Sequence, residues 1–208
     1  KYFQSNLGKV TYMIKTSLDS IFRDTGYQNI KRNLYKRLDR NERNYPFDKK
    51  ILSKLKKKIT DYNLQAYPDQ KLELIKKISK IENLSSNFIE IVPGSDGALK
   101  YLFEVFANKK KKINRVSFLY PTYGMVEVYS NIYKFKTLKI RKNYSKKVFI
   151  EKFNNSNLDF AYIANPNQPD GEMINEKDII MLLKAFKRKK TFLIIDEAYV
   201  DFSGSASL

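Results

Sequence analysis

The sequence predicts an α/β fold, a three-layer α/β/α arrangement on a mostly parallel sheet, and three features carry that expectation. Short apolar runs at Phe88–Val92, Val116–Leu119, Leu158–Ala164 and Phe192–Ile195 are nearly continuous, as in strands buried on both faces. Helical periodicity fills Ala98–Phe106, Met125–Tyr133 and Ile179–Phe186, so that strand and helix alternate. Loops rich in Gly, Pro, Asn and Asp follow the strands, at the end of the sheet where such folds bind their ligands.

Residues 1–36 carry no clear period and are expected to form an N-terminal arm or linker, although Ile14, Leu18, Ile21 and Phe22 have the spacing of a short amphipathic helix. Ile51, Leu52, Leu55, Ile59 and Tyr62 recur at helical spacing, and Leu72, Ile75, Ile78 and Ile81 do so again. Two amphipathic helices are therefore expected on either side of the Tyr67-Pro68-Asp69 turn. The strands and helices of the sheet follow from residue 88 onward, and residues 37–208 are expected to form one main domain. Lys1 and Leu208 both look like cuts in a longer chain.

Composition narrows the chemistry. The 208 residues, 42% of them hydrophobic, suffice for one sizeable core. The chain has no cysteine and no histidine, which removes disulfides, thiolate nucleophiles, most zinc sites and imidazole bases. No apolar run reaches the roughly 18 to 20 residues of a membrane span, so a cytoplasmic protein is expected. The net charge of +18 and the runs at Lys109–Lys112 and Lys187–Lys190 would attract polyanions. Those runs lie between periodic segments, where solvated loops and helix ends belong, and no nucleic-acid-binding module accompanies them. No specific nucleic-acid partner is expected.

Four loops carry candidate chemistry. Pro93-Gly94-Ser95-Asp96-Gly97 has a freely turning glycine and Ser or Asp to cap the next helix, whose N–H groups suit a phosphate. Capping alone would explain it. Tyr120-Pro121-Thr122-Tyr123-Gly124 puts an aromatic ring at a strand end, where it would serve either the core or a flat heteroaromatic ligand. Asn165-Pro166-Asn167-Gln168-Pro169-Asp170-Gly171 combines three amide side chains with a constrained backbone. Asp196-Glu197-Ala198-Tyr199 ends an apolar strand on a carboxylate, which is costly to bury without a cation or hydrogen bonds. A protonated pyridine nitrogen, as in pyridoxal phosphate, would compensate it. A Mg-binding Asp-Glu pair would too, but the phosphate loop with Gly-Lys-Ser or Gly-Lys-Thr is missing.

Taken in order, Asp39-Arg40-Asn41-Glu42, Tyr67-Pro68-Asp69, Gly94-Ser95-Asp96-Gly97, Pro121-Thr122-Tyr123-Gly124-Met125, Asn165 to Gly171 and Asp196-Glu197-Ala198-Tyr199 resemble the class I/II aminotransferases, and among them the histidinol-phosphate aminotransferase branch. The resemblance covers about residues 37–202. It implies the fold type I of pyridoxal-phosphate-dependent transferases, with residues 37–208 as an incomplete large domain. It also implies pyridoxal 5'-phosphate as cofactor: Ser95 and Asp96 at its phosphate, Tyr123 stacked on its ring, Gln168 and Tyr199 at the ring hydroxyl and Asp196 at the ring nitrogen. Tyr67 would reach the phosphate of a neighbouring subunit, implying a homodimer, and Asn41 would meet the substrate. No metal is implied.

Two positions depart from the family pattern. Gln168 stands where the family usually has Asn, and Gly97 where it usually has Glu. The Schiff-base lysine and the arginine for the substrate carboxylate would lie beyond Leu208, so the chain alone is expected to be inactive. The full protein is expected to move an amino group between a small amino acid or amino-alcohol phosphate and an oxo acid. A decarboxylase resembling threonine-phosphate decarboxylase and a non-catalytic basic binding protein are the alternatives.

Overall fold

The computed structural model describes residues 31, 34–36, 42–67, 71–107, 113–141, 151–153, 157–204 and 207. They fall in two compact units divided between Ile91 and Val92. The Ile14–Phe22 segment therefore lies outside the described residues.

In the first unit, Asp48 caps helix α1 (Lys49–Lys58) by accepting from the amides of Lys50 and Ile51. Lys56, Lys57 and Lys58 complement the negative end of its dipole. The helix stops there because Ile59 turns to an extended backbone, and α2 (Asp61–Gln65) begins afresh on an acidic residue. The stretch from Ile51 to Tyr62 thus forms two helices instead of one. The adjacent β-branched Ile59 and Thr60 favour the break. Helix α3 (Leu72–Glu82) ends on Asn83 in the left-handed conformation.

The strand expected at Phe88–Val92 does not form. Ser85 caps a 3-10 turn, Ser86–Phe88, and Phe88 is exposed at its end. Local hydrogen bonding by a serine outweighs the β preference of an apolar run that finds no strand to pair with.

The second unit contains α4 (Gly94–Ala107), β1 (Arg115–Tyr120), α5 (Met125–Ile132), β2 (Lys136–Arg141), β3 (Phe160–Ala164), α6 (Glu176–Lys189) and β4 (Phe192–Asp196). The four strands form one parallel sheet in the order β2-β1-β3-β4. Strand β3 is buried throughout, as its continuous apolar sequence requires. Strand β2 is a further element that the apolar runs do not reveal. It lies at the edge, alternates Lys with Leu and Ile, and buries only Ile140.

Side chains leave the sheet with a period of two and make two cores. On one face Val116, Phe118, Phe160, Tyr162 and Ala164 pack with Leu99, Phe103 and Phe106 of α4 and Val126 of α5. Phe103 sets its ring edge-on to both Phe135 and Phe160, with centroids 5.1 Å apart in each pair. On the other face Leu119, Ile140, Ala161 and Ile163 pack with Leu182 and Phe186 of α6. Helix, sheet and helix make the three layers. The basic run Lys187–Lys190 closes α6, where positive charge suits the helix dipole. The run at 109–112 lies outside the described residues, and among those described no helix is long and apolar enough to cross a membrane.

The strand order positions the site. From β1 the chain moves outward to β2, whereas from β3 it moves to β4 on the opposite side. The loops after β1 and β3 therefore diverge, and a crevice opens between them at the carboxyl end of the sheet.

Candidate active site

Ser95, Tyr123, Tyr162, Ala164, Pro166, Gln168, Asp196, Ala198 and Tyr199 line a cleft at that end of the sheet. Residues from four separate loops thus converge, and five of them, Ser95, Tyr123, Gln168, Asp196 and Tyr199, are the ones singled out from the sequence. The cleft opens on the face carrying α4, because Asp196 pairs in register with Ala164, and Ala164 belongs to that core.

Gly94 adopts φ +70°, a backbone that disfavours a side chain, and its N–H bonds to Val92 O at 2.8 Å. This turn starts α4 at Gly94, so Ser95 and Asp96 lie in its first turn and not before it. The first amides of a helix have no partner within it and attract anions. Asp96 does not line the cleft. Its Oδ1 accepts from the Tyr123 hydroxyl at 3.2 Å, which tethers the aromatic ring to the helix start.

The loops after β1 and β3 are joined directly. Thr122 Oγ1 donates to Asn167 Oδ1 at 2.8 Å, while Asn167 Nδ2 donates to Pro121 O at 3.2 Å and to Asp170 Oδ1 at 2.9 Å. Asn165 likewise ties its loop, accepting from the Ile174 amide at 2.8 Å. Gly171, at φ +72°, turns the chain back so that its amide reaches Asn167 O. Two of the three amides in this loop are therefore fasteners, and Gln168 is the one that lines the cleft.

Asp196 presents both oxygens to donors. Oδ2 accepts from the Tyr162 hydroxyl at 2.7 Å and Oδ1 from the Ala198 amide at 3.1 Å. Burial, and then the Asp196 charge, push the Tyr162 hydroxyl far above the usual phenol range, so it stays a neutral donor. Glu197 turns elsewhere, its Oε2 accepting from the Ser207 hydroxyl. The two carboxylates of Asp-Glu do not share a site, as alternation along a strand end requires.

Tyr162 is the residue that sequence inspection misses. A tyrosine in the otherwise apolar Phe-Ala-Tyr-Ile-Ala was the available signal, since a buried hydroxyl needs a partner. Tyr67 belongs to the first unit, where it is 96% exposed. Asn41 lies outside the described residues.

The cleft thus offers a helix start with a serine for an anion, a tethered aromatic ring for a flat ligand, and an oriented carboxylate for a cationic or N–H group. An amide and a phenol complete it.

A family model described as aminotransferase class I and II matches residues 36–207. The histidinol-phosphate aminotransferase of Clostridium botulinum (strain Langeland) is 34% identical over 175 residues, 83% of this chain and 47% of that protein. The chain spans about half the length of the curated relatives it matches. Among solved structures, histidinol-phosphate aminotransferase from Clostridium acetobutylicum is similar with a TM-score of 0.55 and 28% identity, covering 69% of this chain and 42% of that one. The Sinorhizobium meliloti enzyme, solved in complex with pyridoxal-5'-phosphate, matches with a TM-score of 0.58 and 18% identity over 65% of this chain and 37% of that one, a likeness of fold.

Proposed function

The chain belongs to the class I and II aminotransferase family, and from that premise we propose that it forms the cofactor-binding part of a pyridoxal-phosphate-dependent aminotransferase similar to histidinol-phosphate aminotransferase. The convergence of Ser95, Tyr123, Gln168, Asp196 and Tyr199 on one cleft carries the proposal.

The donor set fits the cofactor. Ser95 and the first amides of α4 would hold the phosphate, with Asp96 contributing its backbone. Tyr123 would lie against the ring, and Gln168 and Tyr199 would donate to the ring hydroxyl. Gln168 is one methylene longer than the asparagine usual in the family, and the fastened loop at Asn165 and Asn167 sets where its amide can reach. Asp196 would face the ring nitrogen and keep it protonated. When bound, the cofactor supplies an electron sink for the charge left as a substrate Cα proton departs.

Residues 37–208 are proposed to form part of the large, cofactor-binding domain of such an enzyme. Tyr67 is exposed and available to a second copy of the chain, the basis for proposing a homodimer in which it reaches the neighbouring phosphate. Asn41 is proposed to meet the substrate. The substrates would be a small amino acid or amino-alcohol phosphate and an oxo acid, in a biosynthetic reaction of the cytoplasm.

Product analysis of the full-length protein tests the activity. Transfer of the amino group from donor to oxo acid supports it, and release of carbon dioxide in place of that transfer contradicts it.

A further inference from the structure

We infer that Tyr162 is a positioning residue whose hydroxyl, bonded to Asp196 Oδ2, holds that carboxylate in the orientation that receives the ring nitrogen of the cofactor. The inference rests on the function proposed above.

Tyr162 and Asp196 lie on adjacent parallel strands, with Tyr162 paired to Ile194 and Ala164 to Asp196. Their side chains therefore leave the same face of the sheet, two residues apart along it, within reach of a long side chain. The Tyr162 ring is only 1% exposed and packs in the same core as Phe103, Phe160 and Ala164. Apolar residues satisfy the neighbouring inward positions Phe160 and Ala164, whereas the hydroxyl of Tyr162 reaches 2.7 Å from the carboxylate. Such a hydroxyl would be costly to bury without that bond.

The arrangement does more than satisfy Tyr162. The Ala198 amide holds Oδ1 while Tyr162 holds Oδ2, so two donors on different elements fix the plane of the carboxylate. Each carboxylate oxygen accepts two hydrogen bonds, so capacity remains on the open side for a donor within the cleft. The Ala198 bond is local, two residues along the same loop, and moves with Asp196. Tyr162 is the bond that ties the carboxylate to the rigid centre of the sheet.

A ring-nitrogen test separates this role from simple packing. Dissociation constants are measured in the full-length protein for pyridoxal phosphate and for its 1-deaza analogue, in which carbon replaces the ring nitrogen. Wild type, Tyr162→Phe, Asp196→Asn and the double variant are compared, with melting temperatures taken alongside. Wild type is expected to prefer the nitrogen-containing ring. Tyr162→Phe is expected to bind pyridoxal phosphate about tenfold more weakly, by loss of one bond to a charged group, and to bind the analogue as wild type does. In the Asp196→Asn background, removing the hydroxyl should change neither constant. A Tyr162→Phe variant that keeps the wild-type preference, or weakens for both ligands alike, overturns the inference and leaves the function standing. A wild type with no preference for the nitrogen overturns the placing of Asp196 and the inference with it.

Discussion

Thr122 and Asn167 join the loops after β1 and β3 by a hydrogen bond of 2.8 Å between Oγ1 and Oδ1. The bond spans the crevice at which the two strands part, so it sets Tyr123 on one side against Gln168 on the other. Asn167 is 4% exposed and holds Pro121 O and Asp170 as well, which makes it the hub of the crossing.

Replacing that hub has two consequences. Asn167→Ala removes the bonds to Thr122 Oγ1, Pro121 O and Asp170 Oδ1 and should cost about 1–3 kcal/mol, read as a lower denaturant midpoint. It should also weaken pyridoxal phosphate binding, because Tyr123 and Gln168 lose their common anchor. Thr122→Val removes one bond only and should cost about 1 kcal/mol.

Gly171 separates strain from crowding. No atom lies within 4 Å of the position a Cβ would take, yet φ is +72°. Gly171→Ala should therefore destabilise by about 1 kcal/mol from backbone conformation alone. Gly171→Asn should cost less, since asparagine tolerates the left-handed region. Equal losses for the two variants would contradict this.

Phe103 is fully buried and its ring lies against those of Tyr129 in α5 and Phe160 in β3. Phe103→Ala should cost about 3–5 kcal/mol in equilibrium unfolding, as a cavity opens between α4 and the sheet. Because α4 also presents Ser95, cofactor affinity should fall with it.

The buried Tyr162 hydroxyl predicts a pH dependence. Its folded-state value lies above the ordinary phenol value of 10.0, so its contribution to stability is complete below pH 10.0 and is lost as pH rises toward the folded value. Between those two values the unfolded chain releases a proton that the folded chain keeps. Above about pH 10 wild type should lose about 1.4 kcal/mol per pH unit more than Tyr162→Phe, with little difference below, by urea unfolding from about pH 9 to 11. Parallel pH profiles would contradict the burial of this hydroxyl beside Asp196.

Much of this architecture was legible before the structure. Buried parallel strands leave continuous apolar runs, so β1, β3 and β4 show themselves, and with them the loops that follow. Strand β2 does not, since its Lys136 and Lys139 face solvent and only Ile140 is fully buried. Phe88–Val92 has the composition of a strand, but pairing is decided by neighbours that composition does not contain. In the site, Asp196 and Tyr123 were legible because each breaks the pattern around it at a strand end. Tyr162 lies inside an apolar run and its partner is 34 residues away. The division of labour among Asn165, Asn167 and Gln168 depends likewise on Thr122 and Ile174, which come near only in the fold.

The most direct test is the absorbance of the full-length protein mixed with pyridoxal phosphate, followed as amino donors are added, in wild type and Asp196→Asn. A bound-cofactor band that bleaches with a donor in wild type, and is weakened or lost in the variant, is the predicted result. Absence of any band in wild type, or turnover unchanged by Asp196→Asn, would contradict the assignment of this cleft to the cofactor.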